Sequence, residues 1–161
     1  MNLKNAGIFA SLSTVALLLY CLWLWQPGRQ VLKHHQHFLQ AASDRNWTRF
    51  TDYLDDKYAD QWGHDKAGVL SSSREILSQF FALTITDEST DCVVEGNTAT
   101  VSCRLKMKGT GSPVAEYAID EVNALTTPFT FEWTRKSWKP WDWKLKRVDN
   151  PQLSIPQETG Y

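Results

Sequence analysis

The chain has 161 residues, a formal net charge of −1 and eight tryptophans. This length predicts one domain, and the near-zero charge argues against a general affinity for nucleic acid. The high aromatic content predicts a core built on large rings.

The first element is an apolar run, Ala6 to Trp25, behind a short tail at residues 1–5. It carries no charge and is long enough to cross a bilayer as a helix. Large residues close it, whereas a cleaved signal peptide, the alternative, ends on small ones. Tyr20 before Cys21 also excludes a lipobox. We therefore expect a single-pass signal anchor over 6–25, with the domain on the periplasmic side of a bacterial membrane.

Helical periodicity follows the apolar run. Pro27 and Gly28 end the apolar run, and a first helix of the domain can start at Pro27 or Arg29. Asn46 is the expected N-cap of a second helix that Gly63 ends. A capping box of Ser72 and Glu75 predicts the start of a third helix. The expected inner-face residues are Val31, Leu32, His35, Phe38, Leu39 and Ala42 in the first helix, Trp47, Phe50, Leu54, Tyr58 and Trp62 in the second, and Ile76, Leu77, Phe80 and Phe81 in the third.

The second half alternates apolar and polar residues with a period of two, which predicts half-buried antiparallel strands. A Gly96-Asn97 loop joins the first two strands, and Pro113 opens a short helix before the third. The inward positions of the second, third and fourth strands are Ala99, Val101, Cys103, Leu105, Met107, Phe129, Phe131, Trp133, Trp141, Trp143, Leu145 and Arg147.

Two cysteines lie in the first hairpin. With this loop Cys92 faces Val101, and Cys103 is only its diagonal neighbour. A disulfide would need a register change or a bulge, so we expect two free thiols.

Two segments, "AASDRNWTRFTDYLDDKYADQWG" and "WKPWDWKLKRVDNP", together with the order of elements, resemble the nuclear transport factor 2-like superfamily. The superfamily also contains SnoaL-like cyclases and ketosteroid isomerases. The resemblance covers Gln30 to Pro151. It implies an α+β cone at 26–151, in which the helices pack on the concave face of a curved antiparallel sheet, followed by a tail at 152–161.

In this superfamily the cone encloses a pocket, and its enzymes use a pocket Asp, Glu or His with a Tyr. The predicted strands point none of these acid–base groups inward, which favours a non-catalytic role. If the protein is an enzyme, the candidate catalytic residues are His64, Asp65, Asp60 and Tyr58. The alternative is that His64 only marks a helix end.

A ligand in the cone would contact Tyr58, Trp62, Trp133, Trp143 and Arg147. Inward-facing Arg147 would pair with a carboxylate of the second helix, Asp60 or Asp56, or bind an anionic ligand instead.

Metal and cofactor sites are not expected. His34, His35 and His37 share one helix and cannot all converge on an ion, so this stretch predicts a solvated face. On the outer face of the sheet, five cations would suit an acidic protein or anionic headgroups rather than nucleic acid. They are Arg104, Lys106, Lys108, Lys144 and Lys146.

The sequence therefore predicts a membrane-anchored domain that acts as a non-catalytic module for small-ligand binding or protein assembly. The alternative is a SnoaL-like enzyme that carries out isomerase, cyclase or dehydratase chemistry on a hydrophobic small molecule.

Overall fold

The computed structural model describes residues 14, 15, 17 and 25–154. Most of the expected anchor at 6–25, and the chain after residue 154, lie outside these residues. Within the described part, no helix has both the length and the apolar composition needed to cross a bilayer.

The architecture is α+β, as predicted. Its four strands form one antiparallel sheet in the order β1-β2-β3-β4. Helix α1 lies against β1, and helix α4 lies against β2. The elements in chain order are α1 (Pro27–Ser43), α2 (Trp47–Tyr53), α3 (Lys66–Leu77), β1 (Phe80–Glu95), β2 (Thr98–Gly111), α4 (Pro113–Ala124), β3 (Phe129–Arg135) and β4 (Trp143–Asp149).

Strand periodicity predicted the central strands correctly. The inward residues Val101, Cys103 and Phe131 are buried, as two-residue alternation requires. Cys92 pairs with Val101 across the first hairpin. Both of these cysteines are free thiols, as expected.

The predicted second helix was too long. Helix α2 ends at Tyr53, and the chain then follows the outer edge of β4. The backbone N–H groups of Asp55 and Ala59 donate to the carbonyls of Leu145 (2.8 Å) and Lys146 (3.1 Å). An exposed strand edge has unpaired carbonyls, and bonding to them outweighs helical propensity here.

The start of α3 also differs from the prediction. Asp65 caps this helix by accepting from the Gly68 N–H at 2.7 Å, so Ser72 lies in its interior. Of the expected buried stripe, Leu77 and Phe80 are buried, whereas Ile76 and Phe81 are 37% and 81% exposed.

A bulge in β4 reverses the predicted phase at its end. Trp133 pairs with Leu145, but the next pair skips one residue and joins Glu132 to Arg147. Because a bulge adds a residue to one strand only, Arg147 leaves the concave face and Val148 replaces it. The inward assignment of Arg147 was therefore wrong.

Two further assignments near β4 were wrong. Arg147 pairs with Asp149 (Nε to Oδ2, 2.5 Å) rather than with Asp60 or Asp56. Trp141 precedes the strand and is 51% exposed, so it is not an inward strand position.

Candidate active site

A cavity of about 240 Å³ lies between the helices and the concave face of the sheet. Most of its wall is apolar, because the inward faces of the strands and the inner faces of α1 and α3 meet there. The apolar lining includes Phe38, Phe50, Ile85, Met107, Phe131 and Val148. The polar side chains in the wall are Tyr58, Asp60, His64, Ser72 and Ser73.

A tight turn after α2 brings two of these polar residues together. Asp60 Oδ1 accepts hydrogen bonds from the backbone N–H groups of Trp62 (3.0 Å) and His64 (2.9 Å). Gly63 adopts a left-handed conformation (φ 86°) inside the turn, which glycine accommodates without steric cost. The turn therefore sets the His64 ring beside the Asp60 carboxylate.

The second carboxylate oxygen of Asp60 orients the imidazole. His64 Nδ1 lies 3.0 Å from Asp60 Oδ2. The Asp60 side chain is 1% exposed, whereas that of His64 is 24% exposed. Because a carboxylate accepts hydrogen bonds, the hydrogen-bond network assigns the ring proton to Nδ1. Nε2 then carries a free lone pair, and it lies 3.4 Å from Ser72 Oγ.

Tyr58 supports the same carboxylate from inside the protein. Its hydroxyl donates to Asp60 Oδ2 at 3.4 Å. Burial raises the pKa of Tyr58 far above its usual value, and the neighbouring Asp60 charge raises it further. Tyr58 is therefore a neutral hydrogen-bond donor, not a base.

The other predicted site residues are more scattered. Trp62 lines the cavity, and its Nε1 donates to the Leu153 carbonyl at 2.9 Å. Trp133 and Trp143 are buried in the core. The indole N–H of Trp143 donates to the Pro140 carbonyl at 2.9 Å.

Asp65, a candidate catalytic residue, is used as the N-cap of α3. Sequence reasoning missed Ser72, Val148 and Leu153 in the cavity wall. The capping-box pattern masked Ser72, and the β4 bulge brought Val148 inward.

A second histidine lies deep in the core. His35 is fully buried, as its helical spacing predicts, and is not part of a solvated face. Its Nε2 lies 3.5 Å from Cys103 Sγ and 3.8 Å from Asp87 Oδ2. In the part of the chain that the structure describes, no group of three His, Cys, Asp or Glu side chains could hold a metal ion.

The five outer cations differ in their contacts. The Lys106 ammonium donates to the Asn123 carbonyl at 3.2 Å. The Lys144 ammonium donates to the Asp52 carbonyl. Arg104, Lys108 and Lys146 are exposed.

Neither a family model nor a curated protein matches the sequence. Solved structures do match. An NTF2-like family protein from Streptomyces avermitilis, provisionally called a dehydratase, is 19% identical with a TM-score of 0.57, over 76% of this chain and 93% of that one. LinA is 13% identical with a TM-score of 0.56, over 73% of this chain and 80% of LinA.

Bd1075 of Bdellovibrio bacteriovorus is 11% identical with a TM-score of 0.57, over 75% of this chain. The match spans only 39% of Bd1075. The chain has the nuclear transport factor 2-like fold. At sequence identities this low, the structural similarity establishes the fold alone. Function has to be argued from the residues of the site.

Proposed function

We propose that the domain binds a small, mostly apolar molecule in the cavity and transfers a proton to or from it through His64. The observation that carries the proposal is the 3.0 Å pair of His64 and Asp60 in a mostly apolar wall. An apolar pocket with a few convergent polar groups is typical of a small-molecule site.

Three of the polar residues, His64, Asp60 and Tyr58, would have defined parts in proton transfer. His64 Nε2 would take a proton from a carbon acid, such as a carbon beside a carbonyl, and return it elsewhere. Asp60, held by Tyr58 and by its own turn, would fix the imidazole and stabilise its protonated form. If the proton is returned to a different carbon, the reaction is an isomerisation. If the substrate loses a leaving group after the proton is taken, the reaction is an elimination.

The cavity volume limits the ligand. At about 240 Å³ it lies just below the range of about 300–1,000 Å³ typical of pockets for drug-sized molecules. The aromatic and aliphatic wall favours a ligand of one or two rings with a single polar group near His64.

A non-catalytic binding module is the second candidate. It is favoured by the four hydrogen bonds that Asp60 accepts from Tyr58, Trp62 and His64. All four donors lie within the same short segment, so stabilising the turn is by itself a sufficient reason for an aspartate here.

Hydrogen–deuterium exchange separates the two candidates. We expect the protein to accelerate exchange at C1 of 2-tetralone, a small apolar ketone, as followed by proton NMR in deuterated buffer. His64→Gln should reduce the accelerated rate by about 10²-fold or more. His37→Gln, which alters an exposed position on α1, should leave the rate unchanged.

The outcomes are distinct. If 2-tetralone binds without faster exchange, the non-catalytic candidate replaces the proton-transfer proposal. If 2-tetralone and related bicyclic ketones do not bind, the cavity is not a ligand site of the kind proposed.

Membrane anchoring through residues 6–25 stays a proposal that rests on the uncharged apolar run. Alkaline carbonate extraction of membranes tests it. The full chain should stay in the pellet, and a chain beginning at Pro27 should be released.

A further inference from the structure

The structure places a serine hydroxyl against the free nitrogen of the His64 ring. Ser72 Oγ lies 3.4 Å from His64 Nε2, and His64 Nδ1 lies 3.0 Å from Asp60 Oδ2. Because Nδ1 holds the ring proton, Nε2 can only accept, and Ser72 must be the donor. Carboxylate, imidazole and hydroxyl thus follow one another in the order that activates a serine nucleophile.

We propose that Ser72 is a nucleophile and that the cavity accepts acyl groups from small apolar esters. The inference rests on the proposed role of His64 as a base in this cavity. Ser72 lines the cavity wall together with apolar side chains, which would hold the acyl chain. An aryl ester with a short acyl group fits both the wall and the volume.

The reaction balances without a cofactor. Ser72 Oγ attacks the ester carbonyl carbon while its proton passes to His64 Nε2. The bond to the alcohol oxygen breaks, and that oxygen takes the proton from His64. Water then attacks the acyl-serine and gives a proton to His64, which returns it to Ser72 as the carboxylic acid leaves.

The backbone around Ser72 limits the rate of this chemistry. Ser72 lies inside α3, where its N–H is used in the helix ladder and cannot stabilise an oxyanion. Losing one such donor costs about 10²–10³-fold in rate. Covalent labelling is therefore a more sensitive readout than ester turnover.

Ser73 is a matched control. It lines the same cavity, but it follows Ser72 by one residue and points about 100° further around the helix. Alanine at either position keeps the helix, since alanine is the best helix former.

Phenylmethylsulfonyl fluoride is the test reagent. Its sulfur would bond to Ser72 Oγ, its fluoride would leave, and the serine proton would pass to His64. Intact mass and peptide mapping of the full chain should place one label on Ser72. Labelling should persist in Ser73→Ala, disappear in Ser72→Ala, and slow at least tenfold in His64→Gln.

An unlabelled Ser72, a label on Ser73 instead, or equal labelling in His64→Gln would overturn the nucleophile assignment. The 2-tetralone exchange keeps the two proposals apart. If the wild type and Ser72→Ala both accelerate exchange and Ser72 is not labelled, Ser72 is not a nucleophile. The proton-transfer proposal then stands. If Ser72 is labelled but the protein does not accelerate exchange, only the proton-transfer proposal is contradicted.

Discussion

Two histidines of this protein contact similar chemical groups but differ in how deeply their rings are buried. His64 lies 3.0 Å from a carboxylate and 3.4 Å from a serine hydroxyl. His35 lies 3.8 Å from a carboxylate and 3.5 Å from a cysteine thiol. The His64 ring lies in the cavity wall and is 24% exposed, whereas the His35 ring is fully buried.

The surroundings determine the chemistry of each cluster. Burial lowers the pKa of His35 to about 4, although the nearby Asp87 charge opposes this. Burial also raises the pKa of Cys103 to about 12. The core cluster is therefore a neutral imidazole beside a neutral thiol, and both side chains are fully buried. Similar residue types thus pack the core in one place and form a candidate site in the other.

The largest expected effect is on thiol reactivity. A rise in the pKa of Cys103 from 9.0 to about 12 lowers its thiolate fraction about a thousandfold. With dithionitrobenzoate at pH 8, Cys103 should react about a thousandfold more slowly in the folded protein than in urea. Half-buried Cys92 should react sooner, and peptide mapping separates the two. Equal rates in the folded protein would mean that the core cluster is accessible.

The second effect is a loss of stability in acid. The unfolded chain binds a proton at His35 as the pH falls through 6.5, whereas the folded chain resists protonation until about pH 4. The free energy of unfolding should therefore fall between these values, by about 3 kcal/mol from this residue. Urea unfolding at pH 7, 6, 5 and 4 measures the change.

The matched variant is His35→Leu, which has a similar volume and no titrating group. It should remove about 3 kcal/mol of the pH dependence between pH 6.5 and 4. If wild type and variant keep the same slope, burial does not hold His35 neutral.

The third effect compares the two carboxylates. Asp60→Asn keeps one oxygen for the turn but loses the acceptor for the His64 ring and the Tyr58 hydroxyl. It should lower the free energy of unfolding by about 1–3 kcal/mol. Asp87→Asn should change it by less than about 0.5 kcal/mol. The 3.8 Å to His35 exceeds hydrogen-bond length, and the asparagine oxygen can still accept from the exposed Thr90 hydroxyl. Equal losses, measured by urea unfolding at pH 7, would contradict the difference between the clusters.

Sequence periodicity predicted much of the secondary structure, and the resemblance to the nuclear transport factor 2-like superfamily implied how the helices pack on the sheet. Alternation along β2 and β3 predicted their buried faces, and Pro113 predicted the start of α4. Two local features were not predictable in this way. The bulge beside Arg147 has no compositional signature. The segment after Tyr53 has helical spacing, yet it pairs with the edge of β4, which is distant in sequence.

The candidate site was predicted only in part for the same reason. The sequence makes Asp60, His64 and Tyr58 candidate catalytic residues if the protein is an enzyme, and the structure brings them together at the cavity. The capping-box pattern predicts Ser72 at the start of α3, whereas Ser72 lies in the interior of that helix. Its position beside His64 depends on the turn at Asp60 and on the cap at Asp65, which the capping-box pattern obscured.

The proposed function of the cavity is tested most directly by whether a small apolar ligand reaches His64 and not His35. Two-dimensional NMR of the ¹⁵N-labelled imidazole rings, assigned with single-histidine variants, should be recorded during titration with 2-tetralone. We expect saturable shifts of the His64 ring signals and unchanged His35 signals. Unchanged His64 signals at saturating 2-tetralone would contradict the proposed function.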